Sequence, residues 1–279
     1  MTGTVISAPA TGRRPGLHWE PDARWQNVLV ARLLFAALLL GLWQAYSGGK
    51  GAVIPEIALS RPSDIATSLG HLIADGSVFG ALGSTLAALA IALVVSIPIA
   101  VVLALVTMTR PGEWLLGPIV TVLYAVPKVG LITVFILMAG FSTKTHVLLV
   151  ATTVLFVYYY SFQQALRDLD QRVVRSLRLF GASWLQIGYL YVLRAITPNL
   201  VVATRVAVPM AFGFEVFAEL RVPTDSGLGV MLNQYTQNLQ PGPAMAVLVF
   251  IIVIACAIDA LLGYLAASYA RRIGVGVTR

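Results

Sequence analysis

Charged residues are scarce in this chain of 279 residues. Aspartate, glutamate, lysine and arginine together make up 11% of it, whereas a soluble domain averages about 25%. Hydrophobic residues make up 58%, and the mean hydropathy is +0.84. This shortage of charge excludes an ordinary soluble domain and indicates a polytopic membrane protein. Membrane topology then explains the formal net charge of +7 more simply than a nucleic-acid partner does, so no nucleic acid is expected.

Lysine is equally rare, and this bears on nucleotide binding. The lysines are Lys50, Lys128 and Lys144. None of them stands in the GxxxxGK[ST] pattern whose backbone cradles nucleotide phosphates. If ATP drives this protein, we expect ATP and magnesium to be bound by another subunit, and no cofactor in this chain.

Histidine and cysteine are too few and too scattered to predict a metal site. His18 falls in the N-terminal tail, His71 and His146 fall in two loops outside the membrane, and Cys256 lies in an apolar run. A metal site needs several such ligands close together. We therefore expect no metal ion and no catalytic residue, and a buried packing role for Cys256. The chain by itself is not expected to be an enzyme.

Long apolar runs are abundant, and they predict an all-α fold with about six membrane-spanning helices. Residues 1–27 are rich in Gly, Pro, Thr and Arg and are predicted to form a flexible cytoplasmic tail, while residues 28–279 form a single membrane domain. Pro118 and Pro127 are expected to disturb the helix of the third span. The predicted spans are Val28–Tyr46, Ala81–Thr109, Trp114–Gly140, Val147–Phe162, Asn199–Leu220 and Ala244–Tyr269.

One polar stretch, Gln164–Pro198, interrupts these runs and is called the basic loop here. The loop is strongly basic, because it contains five arginines and, as acidic residues, Asp168 and Asp170. Such a cluster between two spans belongs on the cytoplasmic side, and this orientation also places both chain termini in the cytoplasm. The five arginines are Arg167, Arg172, Arg175, Arg178 and Arg194.

The pattern inside the basic loop predicts two helices joined by a sharp turn. An apolar stripe with arginines on the other faces indicates a short helix that ends at Gly181. Ser183 is placed to cap a second helix that enters the membrane, with Gln186 three residues later as its capping-box partner. The spacing alone fits a basic loop with surface helices equally well. The stripe consists of Val173, Val174, Leu177 and Phe180.

The sequence GASWLQIGYLYVLRAITP within this loop resembles the cytoplasmic "EAA loop" of ABC-importer permeases. Departures from that motif are Arg175, Ser176 and Leu177 in place of its Glu-Ala-Ala triplet, and Arg194 in place of its first proline. LSRPSDIATSLGHLI, AVPKVGLITVFIL and VFAEL…SGLGVML resemble further segments of the nitrate/sulfonate/taurine group, and the order of the four segments makes the resemblance specific. The matching loop positions are Gly181, Ala182, Ser183, Leu193 and Pro198.

This resemblance implies the membrane permease of an ATP-driven importer of a small solute in a bacterial inner membrane. Its implied partners are a cytoplasmic ATPase dimer, a second permease subunit, an external solute-binding protein and membrane lipid. The implied ATPase-coupling residues are Arg175, Arg178, Gly181, Ala182, Ser183 and Gln186. The alternative is an ion- or proton-coupled carrier that works without an ATPase, with Glu215 and Lys128 as coupling charges.

Five ionisable residues fall within the predicted spans, where such groups usually face the bundle interior or water. Arg205 and Glu219 match common positions of the resembled group and are expected to be structural, and Asp259 is expected to serve packing. Lys128 and Glu215 depart from that group, and either form an ion pair or hold substrate. The candidate pathway residues are Lys128, Met210, Phe214, Glu215 and Glu219.

Overall fold

A computed structural model of the chain describes residues 25–47, 55 and 59–272. Every regular element in this part of the chain is helical, which confirms the all-α prediction. Residues 1–24 of the predicted tail lie outside the described residues, and its last residues, from Trp25, already belong to α1. The helices are α1 Trp25–Tyr46, α2 Pro62–Ala74, α3 Ser77–Thr107, α4 Arg110–Ala125, α5 Lys128–Ala139, α6 Thr143–Arg167, α7 Gln171–Leu179, α8 Trp184–Ile187, a π-helical turn Gly188–Val192, α9 Leu193–Arg221, α10 Leu228–Gln237 and α11 Pro241–Arg272.

Five of the six predicted spans have counterparts long and apolar enough to cross a membrane, and the first falls on a shorter apolar helix. Among the described residues, four stretches are long and apolar enough to cross a membrane, namely α3, α6, α11 and the run Leu185–Arg221. The pair α4 and α5 supplies a fifth segment, and the apolar part of α1, Val30–Tyr46, is a shorter sixth. The span predicted from Asn199 thus begins earlier, because helical structure continues into the basic loop.

The third predicted span is not one helix. Helices α4 and α5 meet at an angle of 101° across a short break. Pro127 stands at this break and Val126 before it is extended, with φ −62° and ψ 130°. Proline has no N–H to donate and forces the preceding residue out of helical geometry, so the chain changes direction here. The disturbance expected at Pro127 is therefore a full break, whereas Pro118 stays inside α4.

Small side chains allow α3, α6 and α9 to form the core of the bundle. Every fourth residue of α3 from Ala88 to Ala104 is alanine or serine, and all of these residues are buried. In α9 the same spacing joins Ala203, Ala207 and Ala211, which are also buried. Such residues let helix backbones approach closely inside a membrane. Ser96 adds a hydrogen bond to the carbonyl of Ala151 on α6, at 3.0 Å.

One packing prediction was wrong. Cys256 is exposed on α11 instead of buried. Its apolar surroundings in the sequence could not distinguish the interior of a bundle from the surface that faces lipid, because both are apolar. Most of the large side chains that the described chain exposes are likewise aliphatic or aromatic, as expected for a surface covered by lipid or by another subunit.

Candidate functional site

The basic loop folds as the two helices and the turn that its sequence predicts. Helix α7 starts after Asp170, whose Oδ1 accepts the N–H of Arg172 at 2.8 Å and so caps the helix. It ends before Gly181, which has φ +84°, a conformation that penalises any side chain. Ser183 and Gln186 then form a complete capping box. The N–H of Gln186 donates to Ser183 Oγ at 3.3 Å, and the N–H of Ser183 donates to Gln186 Oε1 at 2.8 Å.

No residue of α7 is buried in the described chain. Arg175 and Arg178 are exposed, and Ala182 in the turn is half-buried. Large apolar side chains in and after the helix are exposed as well, with Leu179 at 88% and Phe180 at 87%. The helix therefore presents apolar and cationic groups together on a surface that the chain does not cover. This composition is typical of a protein-binding surface.

A hydrogen bond links the start of α7 to the beginning of the fifth membrane segment. The N–H of Asp170 donates to the hydroxyl of Tyr191 at 3.1 Å. Tyr191 lies in the π-helical turn, which is continuous with α8 before it and α9 after it. Beneath this link is a cavity of about 580 Å³ with mostly apolar walls, which include Leu105, Phe162 and Val174. A displacement of α7 would thus act on α9 through few intervening bonds.

A second group of polar residues is buried at the opposite end of α3, α6 and α9, and is called the buried polar cluster here. Its members are Thr85 of α3, His146 of α6, and Glu215 and Glu219 of α9. All four are at most 1% exposed. Glu215 and Glu219 continue the buried stripe of α9 at its four-residue spacing, so both carboxylates face the neighbouring helices.

Glu219 joins three elements through well-formed hydrogen bonds. Its Oε1 accepts the hydroxyl of Thr85 at 2.7 Å, and its Oε2 accepts the N–H of Gly229 at 2.6 Å. Thr85 also accepts the N–H of Leu228 at 3.0 Å. The first turn of α10 is thereby tied to α3 and α9. A side chain at Gly227 would lie 2.3 Å from the Glu219 carboxylate, so close approach requires glycine there.

Glu215 pairs with a histidine instead of with Lys128. Its Oε1 lies 3.2 Å from His146 Nδ1, and His146 Nε2 lies 2.8 Å from the carbonyl oxygen of Val222. The prediction that His146 lies in an outside loop was wrong, since it occupies the first turn of α6 and is 1% exposed. The four-residue stripe of small residues on α9 could have indicated this pair. Glu215 continues that stripe, so its side chain is buried against neighbouring helices and its partner must come from one of them.

Lys128 contacts residues of α4 and α6 instead of Glu215. Its Nζ donates to the carbonyl of Tyr124 and lies 4.6 Å from the centre of the Tyr124 ring and 5.2 Å from that of Phe156. A cation here stabilises the carbonyl end of α4 at the break between α4 and α5. No ion pair within 4.0 Å joins Lys128 to Glu215, although both residues are described.

The other predicted pathway residues lie on a different side of α9 from the buried polar cluster. Met210 is 41% exposed, and Val202 and Val206, at the same four-residue spacing, are 63% and 58% exposed. Phe214, four residues further on, is half-buried and packs against the core. The structure therefore brings Glu215 and Glu219 together and separates them from Met210 and Phe214.

Comparison with known proteins gives consistent matches. Residues 96–271 match the model of the family described as "Binding-protein-dependent transport system inner membrane component". SsuC of Bacillus subtilis (strain 168), a permease protein provisionally named for aliphatic sulfonates transport, is 26% identical over 255 residues, which are 89% of this chain and 91% of SsuC. The Escherichia coli (strain K12) protein of the same name is 28% identical over 159 residues, or 57% of each chain.

Solved structures agree on the fold. A chain of the MetNI methionine ABC transporter in an inward-facing conformation superposes with a TM-score of 0.55 at 20% identity, over 73% of this chain and 95% of that one. Helical composition and apolar segments together define a multi-pass membrane protein. Because the family model covers more than half of the sequence, the chain belongs to the family of binding-protein-dependent transport system inner membrane components.

Proposed function

We propose that this permease component couples ATP hydrolysis in a partner ATPase to the import of a small solute. The observation that carries the proposal is α7, a capped helix with no buried residue that exposes arginines and large apolar side chains together. A helix this short is marginal in water by itself, so binding to a partner surface would stabilise it. ATP and magnesium would reside on the ATPase, and this chain would supply the surface that moves with it.

The coupling path follows from the contacts of the basic loop. Gly181 and the capping box of Ser183 and Gln186 set the angle between α7 and α8. The bond from Asp170 to Tyr191 links α7 to the π-helical turn ahead of α9. Closure of an ATPase dimer would push α7, and the displacement would pass into α9. Tilting of α9 would then switch the pathway between its inward-open and outward-open states.

The pathway itself requires a second permease subunit, which we propose to be another copy of this chain. The stripe Val202, Val206 and Met210 is exposed along α9, with Phe214 at its end. Against a second copy, Met210 and Phe214 would line the space between the two subunits. Glu215 and Glu219 would support that wall from inside each bundle instead of contacting the solute.

The same proposal includes the orientation of the chain in the membrane and its external partner. The arginines of the basic loop support a cytoplasmic position for α7 and for both termini, in a bacterial inner membrane. An external solute-binding protein would deliver the solute at the opposite end, where α2 and α10 lie. The two relatives named for aliphatic sulfonates transport make an aliphatic sulfonate the first solute to test.

Reconstitution into proteoliposomes tests this function. The chain, co-expressed with a partner ATPase and a solute-binding protein, should take up a radiolabelled alkanesulfonate only when ATP is supplied. Uptake driven by a proton gradient, without the ATPase, would support the ion-coupled carrier and contradict the proposal.

A single glycine tests the coupling loop. In Gly181→Val, a β-branched side chain at φ +84° costs about 1 kcal/mol or more and should tilt α7. The variant should insert normally but lose ATPase association or substrate-stimulated hydrolysis. Gly76→Val is the matched control for ATPase association, because Gly76 has φ +75° and open space around the added carbon but lies at the end of the bundle away from α7. Unchanged transport by Gly181→Val would contradict the assignment of this loop.

A further inference from the structure

The buried polar cluster contains two carboxylates and no basic side chain other than a histidine. Glu215 and Glu219 are 0% and 1% exposed, and His146 is 1% exposed. The cavity beside them has a volume of about 220 Å³, and no lysine or arginine of the described chain lines it. Two ionised carboxylates cannot share such a site without a compensating positive charge, because their desolvation and mutual repulsion are unfavourable.

The polar contact of Glu215 is the 3.2 Å approach of its Oε1 to His146 Nδ1. Neither of its carboxylate oxygens makes a hydrogen bond within the described chain, although both are buried. The side chain lines the cavity, and most of the other residues that line it are polar. A buried polar group without a hydrogen bond destabilises the folded state by about 1–3 kcal/mol, and more when it is charged. Either a proton shared with His146 or a bound cation can satisfy it.

The imidazole of His146 is oriented as a metal ligand would be. A carbonyl oxygen can only accept, so the contact of Nε2 with Val222 at 2.8 Å places the ring proton on Nε2. In the neutral ring, Nδ1 then carries a lone pair that points at Glu215 Oε1, 3.2 Å away. Two acceptors at this distance need either a proton or a metal cation between them. A hydrogen bond from the remaining ring N–H to a carbonyl is the usual outer-shell contact of a metal-bound histidine.

Glu219 completes the set of ligands. Its hydrogen bonds from Thr85 and Gly229 hold the carboxylate in place and leave a second lone pair on each oxygen. One ligand atom from each of His146, Glu215 and Glu219 can be chosen so that all three lie within 4.8 Å of one another. Metal–ligand bonds of about 2.0–2.2 Å produce ligand separations of about 3–4.4 Å, so small side-chain movements would close the site.

We propose that His146, Glu215 and Glu219 form a binding site for a divalent transition-metal cation. One imidazole nitrogen with two carboxylates suits Zn²⁺ or Mn²⁺, and the adjoining cavity leaves room for water as a further ligand. The bound cation joins α6 to α9 and, through Glu219, holds the first turn of α10. It is a structural ion at the end of the bundle opposite the basic loop, and it does not depend on the coupling proposed above.

Metal content of the full-length protein, purified without a histidine tag, provides the test. After chelator treatment and dialysis, the wild-type chain should take up one Zn²⁺ or one Mn²⁺, measured by mass spectrometry of the metal, and its melting temperature should rise. Co²⁺ in place of Zn²⁺ should give the visible absorption of a site with nitrogen and oxygen ligands. A wild-type chain that takes up neither Zn²⁺ nor Mn²⁺ stoichiometrically would overturn the proposal.

Variants locate the ion. Glu215→Gln keeps the shape of the side chain and should abolish stoichiometric uptake. In Thr85→Val, loss of the hydroxyl that holds Glu219 should weaken metal affinity by about 10–100-fold. The double variant His18→Ala with His71→Ala leaves His146 as the one histidine of the sequence and should bind as the wild type does.

The result remains decisive if one variant does not fold. Should Glu215→Gln fail to be purified, Thr85→Val still distinguishes the outcomes, because unchanged metal affinity there would contradict a site built on Glu219. Loss of binding in the double histidine variant would assign the metal to His18 or His71 and would equally overturn the proposal.

Discussion

The two ends of the fifth membrane segment lie in opposite environments, although one continuous run of helix joins them. At one end the basic loop exposes arginines and apolar side chains, with Phe180 at 87%. At the other end Glu215 and Glu219 are enclosed by α3, α6 and α10. Charge is exposed at the first end and buried at the second, so the two ends require different partners.

This difference indicates the source of the partner at each end of the segment. Surface arginines are solvated, so they need no partner within the same chain. Buried carboxylates are not solvated, and they must be compensated within the same chain or by a ligand that enters with it. The basic loop therefore favours a protein partner, and the buried polar cluster favours a small cation.

The largest effect on stability is expected from a substitution that adds a side-chain carbon next to the buried polar cluster. The added carbon in Gly229→Ala would lie 2.3 Å from the carbonyl oxygen of Val216 and 2.7 Å from Glu219 Cβ. Backbone must move to admit it, so we expect a loss of about 3 kcal/mol in stability. Thermal unfolding in detergent measures this loss.

Gly213→Ala is the control for that change. Gly213 lies on α9 with open space around the added carbon, and alanine favours a helix interior over glycine by about 1 kcal/mol. The control should be as stable as the wild type or more so. Equal melting temperatures for both variants would show that α9 and α10 are not in close contact at Gly229.

Much of the exposed end could be predicted from the sequence, because its signals are local. Gly181 as a helix end and Ser183 with Gln186 as a capping box depend on residues at most a few positions apart, and the structure confirms them. The helix cap at Asp170 was missed, although an aspartate just before an apolar stripe is a recognised signal.

The buried end could not be predicted in the same way. The hydroxyl of Thr85 meets Glu219 across 134 positions, and His146 meets Val222 across 76. A single sequence contains no signal for such contacts. The break at Pro127 adds a further reason, since it turns α5 away from the course of a straight span and leaves Lys128 beside Tyr124.

An intermediate effect is expected at the exposed end, and on binding instead of stability. Phe180→Ser should change the free energy of unfolding by less than about 0.5 kcal/mol, because the side chain is 87% exposed. ATPase affinity should fall about tenfold or more if Phe180 is an anchor of the interface. Titration of the detergent-solubilised chain with purified ATPase measures the change.

Phe141→Ser is the matched control for this prediction. Phe141 is 69% exposed but lies at the opposite end of the bundle, between α5 and α6. It should leave ATPase affinity unaltered. An equal loss of affinity in both variants would mean that the effect arises from altered contact with detergent or lipid.

The smallest effect is a coupling between Lys128 and Glu215, which the sequence suggested as an ion pair. Lys128 contacts Tyr124 and Phe156, whereas Glu215 contacts His146, so the two charged residues share no partner. Lys128→Met and Glu215→Gln should each lower the melting temperature, and their effects on stability should add within about 0.5 kcal/mol. His146→Gln combined with Glu215→Gln should instead show a coupling of about 0.5–3 kcal/mol, because these side chains are in contact. Recovery of stability in the variant that combines Lys128→Met with Glu215→Gln would restore the ion pair between them and remove His146 as the partner of Glu215.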